Sequence, residues 1–358
     1  MHIAEILPTA EVSRGSGLPR QLARRERNLD DLPVTTGSGK QMTLSAVLDR
    51  TYTDGFLVIC NGAVAYERYF NGMAPRMLHL SQSVAKSVVG AVFGILSTRG
   101  EVDPTRLVTD YLPELSGTGW SGATLQHVLD MTSGVTFSEE YTDPHSDIGQ
   151  VDVASGWKPV PSGADPAFRW PQNMWDLILG LRKTERPHGA AFKYRSIETD
   201  VLAFAMERVT GKRLPQLVSE ELWQKIGAEE NASFTVDGTG FALADGGFNA
   251  SLRDYGRFGL AVLEGNVVPF SWVEATRRGS HGPGYSKLLP QGAYRNQFWI
   301  EDAETRNLLC RGVFGQMIYI SRATDMVVVK VSSWPDFQSI PYERDALDAI
   351  HAIERALA

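Results

Sequence analysis

Ser83-Val84-Ala85-Lys86 opens an apolar run that continues to Leu96. The run is long enough for a buried helix. On a helix, residues three apart share one face a turn apart, so the Ser83 hydroxyl and the Lys86 amine can meet. A lysine in an apolar wall loses solvation, which makes its neutral, proton-accepting form accessible. A serine hydroxyl becomes an effective nucleophile once a neighbouring base takes its proton. The free N–H groups of a helix N-terminus face the same spot and suit a developing oxyanion. The pair therefore reads as a serine nucleophile with its lysine activator. The competing reading is an N-capping serine beside a lysine whose stem runs out to water.

Two fixed residues make a short motif, and the chain carries a second copy, Ser155-Gly156-Trp157-Lys158. That copy lies in a Pro/Gly-rich stretch with no helical pattern and is read as non-catalytic. Thr36-Gly37-Ser38-Gly39-Lys40 looks like part of a phosphate-binding loop. It has Gln41 where Ser or Thr is required and Val34 where the first Gly is required, so it reads as a plain loop. Cys60 and Cys310 are far apart in apolar surroundings and read as free thiols. No Cys/His group has metal-ligand spacing, so neither a metal nor another cofactor is expected. His79 and His127 lack a partnered motif and read as structural.

These residues need a scaffold. The chain has 358 residues, 43% hydrophobic and 22% charged, with a net charge of -7. That suits one large or two intimate globular domains and argues against a nucleic-acid partner. The longest apolar run contains Lys86 and is too short for a bilayer, so no membrane association is expected. No cationic, apolar leader is evident at the start of the sequence, so the expected location is the cytoplasm.

Gly55–Cys60 and Ala63–Phe70 read as two strands joined by the hairpin turn Asn61-Gly62. Thr124 and Ser251 read as helix caps. Residues 137–190 are rich in Pro, Gly, Asp and Trp. They read as a long loop wrapped over the site, with Tyr141, Asp152, Trp157 and Trp170 able to touch a ligand. Strands return at 296–300, 316–320 and 326–331, and a closing helix at 342–357. Strands, then helices, then strands and a helix imply an α+β fold, a sheet domain interrupted by a helical insertion.

In this order the segments resemble the serine hydrolases of the β-lactamase and penicillin-binding-protein superfamily. The resemblance is carried by the 55–70 hairpin, Ser83-x-x-Lys86, Leu129–Val135, Tyr194-Arg195-Ser196, Leu252-Arg253-Asp254 and Gly312–Gln316. Within the superfamily it points to class C β-lactamases, family VIII carboxylesterases and, most closely, 6-aminohexanoate-dimer hydrolases. It implies a β-lactamase/DD-peptidase-like fold, an antiparallel sheet flanked by helices. Residues 1–78 and 240–358 would form the sheet domain and 79–239 a mostly helical domain, with the site between them. Ser83 would be acylated, Lys86 its base, and Tyr194 the proton relay to the leaving group. The amides of Ser83 and Val313 would form the oxyanion hole, Val313 lying on an edge strand that begins near Gly312. Ser196 stands where much of the superfamily has Asn. Tyr141 would cap the substrate and Asp152 would recognise a substrate amine. Trp299 and Asn249 would line the pocket.

The third superfamily box, usually K-T-G or H-T-G, is replaced by Gly312-Val313-Phe314-Gly315. No acid stands in a class A deacylation pattern. The expected activity is therefore cofactor-free hydrolysis of small amides or esters, including 6-aminohexanoate oligomers, by a monomer or homodimer. The alternatives are a β-lactamase or D-alanyl peptidase and, from another class, a non-catalytic binding protein on the same scaffold.

Overall fold

The computed structural model describes residues 3–281 and 285–357. The first fifty residues carry short elements: β1 (Thr9–Val12), β2 (Ala23–Arg24), β3 (Pro33–Thr35), β4 (Gln41–Thr43) and α1 (Leu44–Arg50). The phosphate-loop look-alike is the β3–β4 turn, where the Gly39 amide donates to Thr36 O at 2.7 Å. β5 (Thr53–Cys60) and β6 (Ala63–Tyr69) form the expected hairpin. Asn61 and Gly62 both take positive φ, 50° and 70°, the geometry that matches a tight turn to strand twist.

β7 (Leu78–Leu80) delivers the chain to α2 (Val84–Thr98). Thirteen α2 residues, Val84 to Leu96, are buried, Lys86 among them. A helix apolar all round belongs in a core. The short helices α3 (Val108–Tyr111) and α4 (Leu125–Leu129) follow. Thr124 caps α4, its hydroxyl accepting from the His127 amide.

Two helices interrupt the expected 137–190 loop: α5 (Asp147–Ala154), capped by Ser146, and α6 (Met174–Gly180), capped by Asn173. α7 (Glu198–Thr210), α8 (Leu214–Val218), β8 (Ala232–Thr235) and β9 (Phe248–Ser251) come next. They are followed by α9 (Leu252–Glu264), capped as expected by Ser251, and α10 (Phe270–Arg277). β10 (Ala293–Arg295), β11 (Phe298–Ile300), β12 (Leu308–Gly312), β13 (Gln316–Ser321), β14 (Met326–Ser332) and α11 (Ile340–Leu357) close the chain.

Eight strands form one sheet in the order β10-β11-β12-β13-β14-β5-β6-β2, antiparallel except for the short β2–β6 pairing. α9 lies on it at close range because Gly256 and Gly259 face the strands. A Cβ there would stand 2.7 Å from Leu57 and 2.4 Å from Val327. A second, four-stranded sheet, β1-β8-β9-β7, ties residues 9–12 to 232–235 and leads into α2. Cys60 and Cys310 are free. Among the described residues, no helix is long and apolar enough to cross a membrane.

Candidate active site

Ser83 sits at the foot of α2 with φ -63° and ψ -3°, and its side chain makes no cap hydrogen bond. The hydroxyl instead accepts from Lys86 Nζ at 3.2 Å. Gln82, just before it, is held at φ +51°. Non-glycine residues rarely adopt that region, and it concentrates at sites where a side chain must be aimed. Lys86 does not reach for water either. It is 1% exposed and donates to Asp245 O at 2.6 Å.

Sequence reasoning made the neutral form of a desolvated Lys86 accessible. Burial does pull its pKa down, but Tyr194, Asp245, Glu139 and Asp200 more than offset this, and the net shift is upward. Asp245 Oδ2 is 3.9 Å from Nζ. The resting lysine is therefore an ammonium among buried acidic groups.

Tyr194 lies in the loop before α7. Arg195, 0% exposed, pins that loop by donating to Val135 O at 2.6 Å, Lys193 O at 3.0 Å and Glu185 at 2.6 Å. The Tyr194 ring stacks on Trp299, centroids 5.6 Å apart, and Lys86 Nζ is 5.5 Å from the ring centre. Burial pushes its phenol up, opposed by Lys86 and by a hydrogen bond with Ser83. Both members of the Lys86–Tyr194 pair thus hold their protons at neutral pH, and losing one makes the pair a base facing the Ser83 hydroxyl.

β12 ends at Gly312, and Val313 follows it in a turn. This corrects the expected edge strand beginning near Gly312. β12 is interior, between β11 and β13, and the edges of this sheet are β10 and β2. A Cβ on Gly312 would stand 2.5 Å from Ser81 O and 3.0 Å from Ser83 N. Glycine is what lets this strand end reach the serine.

Ser83 and Val313 line two cavities. The larger, about 470 Å³, is also lined by Tyr194, Tyr141, Trp299, Arg311, Glu343 and Phe337. Arg311 stacks over Trp299 at 4.8 Å and donates to both Glu343 oxygens at 2.8 and 2.9 Å. The smaller, about 50 Å³, is lined by Tyr141, Asp152, Trp157, Ser196 and Asp245. Tyr141 faces both, stacked on Phe337 at 5.1 Å with its hydroxyl donating to Glu139 at 2.7 Å. Ser196 gives its amide and its hydroxyl to the same Glu139.

Asp152 lies on α5, not in a loop, and pairs with Lys158 Nζ at 2.6 Å. That lysine belongs to the duplicate Ser-x-x-Lys spacing, and Ser155 is only the C-cap of α5. Trp170 packs on His145 and Phe168 and is not among the residues lining these two cavities. Asn249 does not reach the pocket. It is buried on β9 with its amide donating to Gly247 O at 2.9 Å. His79 and His127 make structural bonds, to Asp54 at 3.1 Å and to the Thr124 amide at 3.2 Å. Among the described residues, no group of three or more His, Cys, Asp or Glu is placed to hold a metal ion.

Sequence reasoning gave no role to Asp200, Asp245 or Glu139. They come from three separate segments and carry no shared spacing. Burial and Asp245 push Asp200 well above the usual carboxylate range. One of its oxygens accepts from the Ala244 amide at 2.9 Å and the other has no hydrogen-bond partner. Burial also pushes Glu139 up, against the pull of Lys86 and the Ser196 amide.

The family model described as Beta-lactamase matches residues 43–352. A 6-aminohexanoate-dimer hydrolase of Paenarthrobacter ureafaciens is 37% identical over 345 residues, covering 93% of this chain and 84% of the relative. A Bacillus anthracis structure assigned as a 6-aminohexanoate-dimer hydrolase superposes with a TM-score of 0.88 at 31% identity, covering 99% of this chain and 93% of the other. A family VIII carboxylesterase superposes with a TM-score of 0.66 at 15% identity over 88% and 95% of the two chains, a likeness of fold alone.

Proposed function

The chain belongs to the Beta-lactamase family and is a serine hydrolase, and on that premise we propose that it cleaves small ω-aminoacyl amides and the corresponding esters through an acyl-enzyme on Ser83. The single observation that carries this is the Lys86–Ser83 contact at 3.2 Å inside a buried site that also holds Tyr194.

Once the Lys86–Tyr194 pair has lost one proton, it accepts the Ser83 proton as Oγ bonds to the substrate carbonyl carbon. The carbonyl oxygen becomes an oxyanion facing the Ser83 and Val313 amides. The C–N bond then breaks as Tyr194 delivers the proton to the departing nitrogen. Water, deprotonated by the same pair, attacks the acyl-enzyme, and the Ser83 oxygen takes back a proton. Lys86 stays the local cation that makes a phenolate at Tyr194 affordable in a buried site. Asp152 would hold the ammonium of an ω-aminoacyl group, Tyr141 and Ser196 would shape the same wall, and Trp299 would line the other side.

The 6-aminohexanoate substrate class follows the relative's name, and Asp152 beside the serine is the chemical feature that supports it. The test is a panel of acyl esters and amides, with the 6-aminohexanoate linear dimer and nitrocefin, read with intact mass spectrometry. Turnover of dimer and esters with one acyl group trapped on the Ser83 peptide is expected. Turnover of nitrocefin without dimer or ester hydrolysis would overturn the proposal.

A further inference from the structure

Asp152 separates two cavities. On its inner side is the narrow space it shares with Ser83. On its outer side is a cavity of about 110 Å³ lined also by Lys158, Pro159 and Pro161. Lys158 approaches from that outer side. The chain turns back after α5, and the Lys158 amide donates to Asp152 O at 2.9 Å. This main-chain bond tethers the lysine beside the carboxylate it pairs with at 2.6 Å. Lys158 is the one ion-pair partner that Asp152 has among the described residues. The two ends differ in exposure, with 22% of the Asp152 side chain accessible and 65% of the Lys158 side chain. A lysine this exposed swings away at small cost, whereas Asp152 is fixed on a helix.

We propose that the Lys158 ammonium is a built-in occupant of the Asp152 carboxylate, which an amine-bearing substrate must displace, so that Lys158 sets how strongly the enzyme favours aminoacyl substrates. This rests on Asp152 being the amine-binding group of the proposed reaction. With Lys158 in place, Asp152 is neutralised while the site is empty. When a substrate ammonium enters from the serine side, one cation replaces another and the lysine returns to water. The exchange lowers the advantage of an aminoacyl group over a plain acyl group of the same length.

The experiment compares p-nitrophenyl 6-aminohexanoate with p-nitrophenyl hexanoate, two esters that differ only at the far end of the acyl chain. The readout is the ratio of their kcat/KM values in wild type, Lys158→Gln, Lys158→Arg and Asp152→Asn, at low and high salt. Lys158→Gln is expected to raise the ratio about two- to fivefold at low salt, through KM, which is the range an exposed ion pair sustains. Lys158→Arg keeps the cation and should stay near wild type. Salt should shrink the gain, because it screens the competing pair.

A lower ratio in Lys158→Gln would mean that the lysine orients Asp152, and an unchanged ratio that it is a bystander. Either would overturn the proposal. Failure of the underlying reading appears elsewhere, as an Asp152→Asn ratio equal to wild type, and this would remove the proposal with it.

Discussion

Replacing Tyr194 with Phe removes one oxygen atom and little else. The ring keeps its stack on Trp299 at 5.6 Å and its edge contact with Tyr294 at 6.1 Å. The hydroxyl's interaction with Ser83 is lost, a net loss of no more than about 0.5–1.5 kcal/mol, offset because a buried polar group goes with it. The melting temperature should therefore move by no more than about 2–4 °C, the shift expected for about 1 kcal/mol in a sizeable domain.

Activity should fall far more. A positioned acid–base group contributes about 10²–10⁴-fold, and two substrates divide its two jobs. An amine leaving group must be protonated to depart, so the linear dimer tests both removal of the Ser83 proton and its delivery to nitrogen. A p-nitrophenolate departs unprotonated and tests only the first job. The loss of kcat/KM should approach the upper end of that range for the dimer and stay near the lower end for p-nitrophenyl hexanoate.

The pH profile supplies a second reading. In wild type the Lys86–Tyr194 pair is held fully protonated, so activity rises with pH as the pair loses one proton, and that limb belongs to both groups together. Tyr194 raises the Lys86 pKa only as the charged phenolate, so the attraction between the two groups stabilises the singly deprotonated pair. Removing Tyr194 takes away the phenolate–ammonium form of the singly deprotonated pair and leaves only loss of the Lys86 proton itself, so the limb of the residual esterase activity should move to higher pH. Equal losses on amide and ester would refute Tyr194 as the acid for the leaving group. A limb that moves to lower pH would refute the coupling.

Ser83→Ala should abolish ester hydrolysis and acyl-group trapping in intact mass spectra, while Ser155→Ala, at the C-cap of α5, leaves both near wild type; a Ser83→Ala protein with wild-type turnover would falsify the nucleophile assignment. Gly90→Ala should destabilise the protein by about 1–3 kcal/mol, the usual cost of overpacking, although alanine favours a helix, because its Cβ would stand 2.5 Å from Asn296 O; a higher melting temperature would contradict that close approach. Glu198 is pushed up to about 8, chiefly by burial, and one of its oxygens has no hydrogen-bond partner. Native Glu198 therefore holds its proton where the unfolded chain has lost it, so it lowers stability as pH rises from about 4.5 through about 8; Glu198→Gln should flatten that decline in melting temperature, and parallel curves for the two proteins would count against a protonated Glu198.

The parts of the fold legible in the sequence are those whose signal is local. Asn61-Gly62 between two β-branched runs specifies a hairpin, and Thr124 and Ser251 specify helix starts through their own hydroxyls. The small sheet was hidden because its strands are three or four residues long and two of its three pairings are distant in sequence, as Ala10 with Phe234 and Leu78 with Ser251. α5 and α6 were hidden by their setting. Their caps, Ser146 and Asn173, lie among prolines, glycines and aspartates that also signal turns, and short helices give periodicity little room. Val313 was placed on an edge strand because neither strand order nor the strand's end at Gly312 is written in the run Leu308–Gly312.

Lys86 shows where local reasoning reverses. Val84 to Leu96 is an apolar wall, and an apolar wall alone would strip a lysine of its proton. Tyr194 and three acids from other segments change the sign: Tyr194 from the loop before α7, Asp245 from the turn before β9, Glu139 from the stretch before α5 and Asp200 from α7. The helix that carries the nucleophile therefore fixes where the lysine stands, and the segments folded around it fix its charge. It follows that the pH at which the proposed hydrolysis begins is a tertiary property. Substitutions at Glu139 or Asp245 should shift that onset while leaving the Ser83–Lys86 spacing on α2 untouched. If the onset stayed fixed in Glu139→Gln and Asp245→Asn alike, those two acids would have no part in setting the charge of Lys86.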